Sequence, residues 1–171
     1  MKAFQEEGEV SREVLVALRR IIRAIDIHSR RLSKEFGLTG PQLLLLNEID
    51  AAGQMLVGTL AKKAHLSQAT VTTVIDRLEA RKLVTRRRDA DDKRRVWVTL
   101  TPEGVEILLA EPKLLQDTFL DNLRALETEE QQSILSSLQS VARMMDAEDL
   151  PVMPVLAVGP IAEPEETEDK A

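Results

Sequence analysis

Cysteine is absent from the 171-residue chain, and aromatic residues are scarce, with three Phe, one Trp and no Tyr. The absence of cysteine excludes disulfides, a thiolate nucleophile and a cysteine redox switch. With only two histidines, His28 and His65, a zinc or haem site is not expected. No glycine-rich motif is present to cradle a phosphate. The composition therefore predicts a protein that is not an enzyme and needs no cofactor.

Long hydrophobic runs are also missing. No apolar stretch approaches the ~18 residues that span a bilayer. The N-terminal sequence, MKAFQEEGEVSREV, lacks the charged-then-apolar order of a signal peptide. We therefore expect a cytoplasmic protein with no membrane partner.

Charge is segregated along the chain, although the formal net charge is -6. Residues 81–95 contain eight Lys/Arg against three Asp, a local balance of +5, whereas residues 163–170 are strongly acidic. Nucleic-acid binding depends on local potential rather than on net charge. The acidic total is therefore compatible with a DNA partner.

Apolar residues at helical spacing predict a long first helix over about residues 10–36, which Gly37 ends. Thr39 and Gln42 form a capping-box pair for a second helix, which Gly53 ends. The first helix has its apolar stripe at alternating steps of four and three residues. This pattern is typical of a helix that packs against another helix.

The central segment predicts a helix-turn-helix followed by a β-wing. A two-turn helix over 59–65 precedes a turn and an N-cap at Ser67, which begins a helix over about 67–81. Residues 84–88 and 94–100 have the composition and alternation of two strands. In such modules the second helix enters the major groove and the wing reaches beside it.

The C-terminal part of the sequence is predicted to be helical from Pro102 to about residue 147, with Pro112 kinking or splitting the pattern. Thr128 and Gln131 form a second capping-box pair. Residues 148–171 are rich in proline and then in acid, which predicts an irregular tail. Its apolar part, VMPVLAVGPI, is expected to dock on the protein.

The outward face of the helix over 67–81 supplies the candidate DNA contacts. Its apolar side is used for packing, so its polar side must face outward. Gln pairs with adenine and Thr methyls pack on thymine, while an Arg one turn on suits a phosphate. An ordinary polar helix surface is the alternative for this helix taken alone. The candidates are Ser67, Gln68, Ala69, Thr70, Thr72, Thr73 and Arg77.

The predicted wing carries more positive charge than a hairpin edge needs. One or two lysines discourage edge aggregation, whereas this hairpin has six basic residues. An Arg at a wing tip suits the negative potential of a minor groove. A hairpin whose charges are merely solvated is the alternative. The wing candidates are Arg86, Arg88, Asp92, Lys93, Arg94 and Arg95.

The stretch LSQATVTTVIDRLEARKLVTRRRDADDKRRVWVTLTPEG resembles the core signature of the MarR family of winged-helix regulators. The family pieces D-R-L-E, D-x-R and V-x-L-T-x-x-G match residues 76–79, 92–94 and 98–104. The order of flanking helices is also similar, so the resemblance covers about residues 10–147. Lys82 departs from the pattern, because the family usually has glycine there.

The resemblance implies a dimer that interlocks its first and last helices and represses genes by occupying a pseudo-palindromic site. It implies that Gln68, Ala69, Thr70, Thr72 and Thr73 face the major groove. Arg94 would enter the minor groove, with Asp92 orienting its guanidinium by a hydrogen bond.

The domain organisation follows from both kinds of reasoning. The expected fold class is mainly α with a small β-wing, with a DNA-binding domain over residues 39–101. The helices over 10–36 and 102–147 have apolar stripes with no evident partner inside a small winged helix, which favours a homodimer. Packing of both regions onto their own DNA-binding domain is the alternative.

The resemblance also implies a small-molecule effector bound between the dimer helices and the winged domain. His28, Leu32, Leu38 and Leu44 are the candidate pocket residues, although a histidine within an apolar stripe is commonly an interface residue. The segment MMDAEDLPVMPVLAVGPI is similar to the C-terminal segments of MarR-type regulators associated with ectoine synthesis. That similarity implies an osmotic signal, since DNA affinity based on phosphate contacts falls steeply with salt.

A winged-helix protein-interaction module without specific DNA binding is the rival hypothesis. It predicts that a triple alanine variant at Thr70, Thr73 and Arg94 binds DNA no worse than the wild type. The basic wing argues against this rival, because nothing but nucleic acid evidently needs it.

Overall fold

Seven helices and three short strands make up the part of the chain that the structure describes. The structure is a computed structural model that describes residues 2–150 and 152–157, with side chains from residue 8 onward. The predicted fold class, mainly α with a small β-wing, is confirmed. The elements are α1 (Lys2–Phe36), α2 (Gly40–Ala52), β1 (Gln54–Leu56), α3 (Val57–Lys63), α4 (Gln68–Ala80), β2 (Val84–Arg88), β3 (Val96–Leu100), α5 (Pro102–Leu109), α6 (Leu115–Arg124) and α7 (Thr128–Met144).

The long helix α1 begins at Lys2, well before the predicted start near residue 10. It ends where predicted, because Gly37 adopts a φ of 64° that a continuing helix cannot use. Among the described side chains of α1 only Leu32 is buried. No helix in the described part of the chain combines the length and the apolar character needed to cross a membrane.

Helix α2 begins after Thr39, as predicted, but only half of the capping box forms. The backbone N–H of Thr39 donates to Oε1 of Gln42 at 2.9 Å. The hydroxyl oxygen of Thr39 is buried and has no hydrogen-bond partner. The helix ends at Gly53, which has a φ of 71°.

The sheet contains three antiparallel strands in the order β1-β3-β2. Strands β2 and β3 form the predicted hairpin, with Arg86 opposite Val98. Strand β1 was not predicted from the sequence. Three residues are too few to show an alternation, and the strand exists because Met55 pairs with the distant Val98.

The core lies beneath α4 and is built from α2, α3, α4 and the sheet. Its largest fully buried side chains are aliphatic, so the hydrophobic effect is the main source of its stability. They are Leu38, Leu43, Leu45, Leu46, Ile49, Leu60, Val71, Val74, Ile75, Leu78, Val84 and Val98.

Lys82 keeps the helix-ending geometry that a glycine would normally supply. Its φ is +60°. The N–H of Lys82 donates to the carbonyl of Glu79 at 2.8 Å, and the N–H of Leu83 donates to the carbonyl of Leu78 at 2.9 Å. These two bonds define a Schellman motif. The departure from the family pattern therefore leaves the end of α4 unchanged in form.

Pro112 splits the C-terminal helical region into α5 and α6, as the sequence predicts. The predicted cap of the last helix is wrong by one residue. Glu127 is the N-cap of α7, and its N–H donates to Oε2 of Glu130 at 3.2 Å. The amide of Gln131 instead donates to the carbonyl of Leu126 at 2.9 Å.

The apolar tail docks at the first turn of α2. Val155 is buried, and the docking predicted from the sequence is confirmed for its neighbourhood. A Cβ atom added at Gly40 would lie 3.1 Å from Cγ2 of Val155 and 3.2 Å from Cβ of Ala157. The N–H of Leu156 donates to Oε1 of Gln116 at 3.3 Å, which joins the tail to α6. The remainder of the predicted tail, residues 158–171, lies outside the described residues.

We expect Lys82→Gly to stabilise the protein. A non-glycine residue at positive φ destabilises the folded state by about 1–2 kcal/mol. Glycine removes this strain, but its greater conformational entropy in the unfolded state offsets roughly 0.5–1 kcal/mol of the gain. The free energy of unfolding, measured by denaturant titration, should therefore rise by about 0.5–1 kcal/mol. Lys82→Ala is the control, since alanine retains the Cβ atom. Equal effects of the two substitutions would contradict this account.

Candidate nucleic-acid interface

Helix α4 has one buried face and one outward polar face. Four aliphatic side chains hold the buried face on the core, namely Val71, Val74, Ile75 and Leu78. The opposite face is therefore fixed toward solvent rather than free to roll. Its exposed residues are Gln68, Ala69, Thr72, Thr73 and Asp76.

The N-terminus of α4 is capped by Ser67, as predicted. Its Oγ accepts from the N–H of Thr70 at 3.0 Å and lies 2.7 Å from Oγ1 of Thr70. The two hydroxyls thus hold the first turn in place. The early N–H groups of a helix lack intrahelical acceptors, and the helix dipole adds partial positive charge there. This end of α4 is chemically suited to a phosphate.

Two threonines in the middle of the outward face bond to their own helix. Oγ1 of Thr72 donates to the carbonyl of Gln68 at 2.8 Å, and Oγ1 of Thr73 donates to that of Ala69 at 3.1 Å. Their hydroxyl protons are therefore used internally. Each threonine retains oxygen lone pairs as acceptors and a methyl group for apolar contact. Arg77 lies farther along α4 and is half-buried.

Asp89 organises the wing loop between β2 and β3. Its Oδ2 accepts from Nε1 of Trp97 at 2.7 Å. Its Oδ1 accepts from the N–H groups of Asp91 and Asp92, each at 3.1 Å. The hydrogen bond from Trp97, followed by these two backbone bonds, lowers the pKa of Asp89 below its ordinary value of 3.8.

Asp92 also bonds within the wing. Its Oδ1 accepts from the backbone N–H of Arg94 at 3.0 Å, not from the guanidinium as predicted. A carboxylate that precedes a turn by two residues commonly bonds to the backbone in this way. Two of the three loop aspartates therefore shape the wing. Arg88, Lys93, Arg94 and Arg95 are all exposed on it.

Arg86 ties the wing to α4. Its Nη1 lies 2.6 Å from Oδ1 of Asp76, and its Nε donates to Oε2 of Glu79 at 2.8 Å. The Glu79 bond raises the pKa of Arg86, and the same bond lowers the pKa of Glu79. Since Arg86 is half-buried and engages two carboxylates, its charge is largely compensated.

A concave groove of about 470 Å³ lies between α3, α4 and the wing. Arg94 and Arg95 line it from the wing, and Gln68 and Thr72 line it from α4. Two further lining residues, Thr59 and Lys62 of α3, were not predicted from the sequence. The sequence does contain a signal for Lys62. The first helix of a helix-turn-helix crosses the DNA backbone, so a lysine on that helix can contact a phosphate.

A second cavity of about 260 Å³ lies where the end of α1 meets the α5–α6 connection. His28 and Leu32 line it together with Arg31, Phe36 and the backbone region of Lys113. Nε2 of His28 lies 2.8 Å from the carbonyl oxygen of Lys113. Among the described residues, no group of three or more His, Asp or Glu side chains is arranged to hold a metal.

Two of the four predicted pocket residues do not line that cavity. Leu38 is fully buried in the core. Leu44 is partly buried against the same core. Both are apolar residues close in sequence to the end of α1, but Leu38 in the α1–α2 connection and Leu44 in α2 pack into the winged domain.

We expect Trp97 fluorescence to report acid loosening of the wing. Because folding lowers the pKa of Asp89, its carboxylate stabilises the wing above pH 3.8, and this stabilisation is lost as pH falls through the lower folded pKa. Trp97 is the single tryptophan, so its emission should stay constant to about pH 4 and change below it.

Asp89→Asn removes the titrating group and should abolish this transition. Asp91→Asn, in the same loop, is the matched control and should titrate as the wild type does. Far-UV circular dichroism separates a wing transition from global unfolding. A wild-type transition retained in Asp89→Asn would contradict the assignment.

A family model and two relatives among known proteins indicate the same family for this chain. A MarR-family model matches residues 36–95, from the end of α1 to the wing. The transcriptional regulator HosA of Escherichia coli O127:H6 is 33% identical over 120 residues, covering 70% of this chain and 87% of HosA. The HTH-type transcriptional regulator YsmB of Bacillus subtilis is 33% identical over 107 residues, covering 60% of this chain and 73% of YsmB.

The fold is shared with a solved structure. BpsR of Bordetella bronchiseptica, described for regulation of its DNA binding by 6-hydroxynicotinic acid, matches with a TM-score of 0.52 and 28% identity. The match covers 76% of this chain and 98% of that of BpsR. With its helix-turn-helix and wing, the chain belongs to the MarR family of DNA-binding transcriptional regulators.

Proposed function

We propose that the protein is a homodimeric repressor that binds a pseudo-palindromic DNA site and is released by a small molecule or by an ionic signal. The carrying observation is the groove in which the outward face of α4 and the cationic side chains Lys62, Arg94 and Arg95 converge. No Asp or Glu lines this groove among the described residues, and Asp89 and Asp92 of the wing loop are bonded within the wing, so positive charge dominates the groove.

In this proposal α4 lies in the major groove. Gln68, Ala69, Thr72 and Thr73 face base edges, since they are exposed and carry amide, methyl and hydroxyl groups. Ser67 and Thr70 act by holding the first turn of α4, whose N–H groups meet a phosphate. Arg77 contacts the backbone farther along the groove.

The wing lies beside α4 in the proposed complex. Arg94 enters the minor groove, where the potential is most negative. Asp92 fixes the backbone at Arg94, and thereby the direction from which the side chain starts. Arg88, Lys93 and Arg95 face phosphates. We assign Arg86 a positioning role, because Asp76 and Glu79 already occupy its guanidinium.

A second copy of the chain is the proposed partner of α1, α6 and α7. Helices α6 and α7 contain no buried residue, although both are amphipathic. Their apolar side chains include Phe119, Leu135 and Leu138, which are 43%, 49% and 47% exposed. Ile21 and Ile22 of α1 are 50% and 58% exposed. Such a surface on three helices exceeds what isolated apolar residues explain.

The two-copy arrangement defines the proposed domains. Residues 10–36 and 102–147 form the dimerisation region, and residues 39–101 form the DNA-binding domain. Two recognition helices related by a two-fold axis match the two halves of a pseudo-palindrome. We propose a cytoplasmic location, since the protein must reach its DNA site there. The proposed function is binding alone and includes no catalytic step.

The cavity beside His28 is the proposed effector site. It lies between α1 and the connection that leads into α6, so an occupant would touch two elements of the dimerisation region. BpsR, whose DNA binding 6-hydroxynicotinic acid regulates, supports a small-molecule signal. The similarity of residues 144–161 to ectoine-associated regulators instead supports ionic strength as the signal.

DNA selection with a salt titration tests the function. We expect random-library selection to yield a two-fold-symmetric site, with affinity falling steeply with salt. Arg94→Ala should weaken binding by about 5- to 100-fold, the range for a base- or groove-reading arginine. Lys170→Ala removes one positive charge outside the proposed DNA-binding and dimerisation regions and is the control. Repeating the assay with small molecules tests the effector proposal through loss of binding.

Arg86→Ala provides a contrast within the same assay. It should weaken binding while leaving the salt dependence nearly unchanged, because two carboxylates already offset its charge. The rival protein-interaction module predicts weak binding with no preferred site and no effect of Arg94→Ala. That result would overturn the proposed function.

We expect Leu138→Asp to convert the dimer into a monomer. Charging a side chain at the centre of an apolar interface typically costs ~2 kcal/mol or more, so dimer affinity should fall at least about 30-fold. Gln139→Asp, the next position on α7, is the control because it is exposed and already polar. Sedimentation equilibrium gives the masses. A monomeric wild type at micromolar concentration would refute the dimer.

A further inference from the structure

One side chain joins the end of α1 to the end of α4. Nη1 of Arg81 donates to the carbonyl of Gly37 at 2.5 Å, and Nη2 donates to that of Phe36 at 3.4 Å. Both carbonyls belong to the C-terminus of α1, where four carbonyls lack intrahelical partners. A cation at this end of a helix is also favoured by the helix dipole.

The α1 side of this junction is shaped for the guanidinium. Gly37 has a φ of +64°, and a Cβ atom there would lie 2.9 Å from Nη2 of Arg81. Any other residue at this position would therefore meet backbone strain and the guanidinium at once. A Cβ atom at this position would therefore strain the turn and displace the end of the Arg81 side chain.

The α4 side of the junction is equally fixed. Arg81 is the C-cap of α4, and its N–H donates to the carbonyl of Arg77 at 3.1 Å. The Schellman motif at Lys82 and Leu83 follows immediately. The backbone that carries the Arg81 side chain is therefore held on both sides.

The junction matters because α1 otherwise has little hold on the winged domain. Among its described residues Leu32 is buried and Phe36 packs partly against the core. Both are apolar contacts, which hold α1 against the winged domain but do not fix the angle between them. Hydrogen bonds to two successive carbonyls are directional and set the angle between α1 and the domain that contains α4.

We propose that Arg81 is a positioning residue that sets which half-site spacing the dimer binds. This inference rests on the proposed function, in which α1 belongs to the dimer interface and α4 reads DNA. Helix α4 has 13 residues and is about 20 Å long, so its DNA-reading end lies about 20 Å from the junction. A 10° rotation of the domain at Arg81 would move that end by about 3 Å, close to the 3.4 Å rise of one base pair.

Spacing variants of the selected site test the inference. The probes are duplexes with the two half-sites at the selected spacing, one base pair closer and one or two base pairs farther apart, and a duplex with a single half-site. The wild type should prefer one spacing. Arg81→Ala should lower the preference between the best and adjacent spacings by about tenfold, the scale of a lost charge-assisted hydrogen bond. Binding to the single half-site should not change.

Two further variants separate positioning from general damage. Arg81→Lys retains a cation that reaches the same carbonyls and should restore part of the preference. Gly37→Ala disrupts the same contact from the α1 side. Its effect on the spacing preference and that of Arg81→Ala should therefore not add in the double variant. Thermal unfolding of Arg81→Ala confirms that the domain folds.

The outcomes are distinct. A wild-type spacing preference in Arg81→Ala overturns the inference, and so does an equal loss of affinity for every duplex including the half-site. A wild type that binds no two-half-site duplex refutes the proposed function, and the inference with it. Relaxed spacing with unchanged half-site affinity and non-additive variants supports it.

Discussion

The burial of one face of α4 is the constraint on which the rest of the molecule depends. Val71, Val74, Ile75 and Leu78 are each fully buried, and each contributes roughly 1.5–3 kcal/mol. A hydrogen bond on the outward face contributes only about 1 kcal/mol. The core therefore decides which way α4 faces, and the polar residues take the remaining side. The proposed DNA-binding surface is therefore a consequence of packing, since no contact on that surface is strong enough to determine which way α4 faces.

The wing uses two of its three loop aspartates for bonds within its own loop. Asp89 accepts from Trp97 and from two backbone N–H groups, and Asp92 accepts from the backbone of Arg94. These carboxylates accept hydrogen bonds from fixed N–H groups of the wing, so they stabilise the loop. Neither carboxylate lines the groove. Exposed ion pairs contribute little to stability. The main effect of Arg86 is therefore to fix the position of the wing relative to α4. Charge counted along the sequence and charge presented to a partner are thus different quantities.

Local signals explain what could be predicted from the sequence. The cap at Ser67 and the end of α1 at Gly37 each depend on a few adjacent residues, and both were predicted. Strand β1 exists only through its pairing with β3, and its three residues have no pattern of their own. Arg81 bonds to carbonyls that are 44 and 45 residues away in the sequence, and Arg86 bonds to two carboxylates of the preceding helix. Nothing next to an arginine in the sequence indicates which acceptor it finds. Leu44 does not line the cavity beside His28, because apolar character alone does not indicate which side of a helix faces a cavity.

The docking of Val155 and Ala157 beside Gly40 has a consequence for synthesis in the cell. A nascent chain folds from its N-terminus as it emerges, at about 5–20 residues per second. The first helix of the winged domain, α2, keeps an uncovered apolar edge until residue 157 has been translated. A polypeptide released early, after α7, would contain every residue that is proposed to read DNA, yet it would expose the surface around Gly40 that Val155 and Ala157 cover. The tail therefore links completion of translation to burial of this edge of α2.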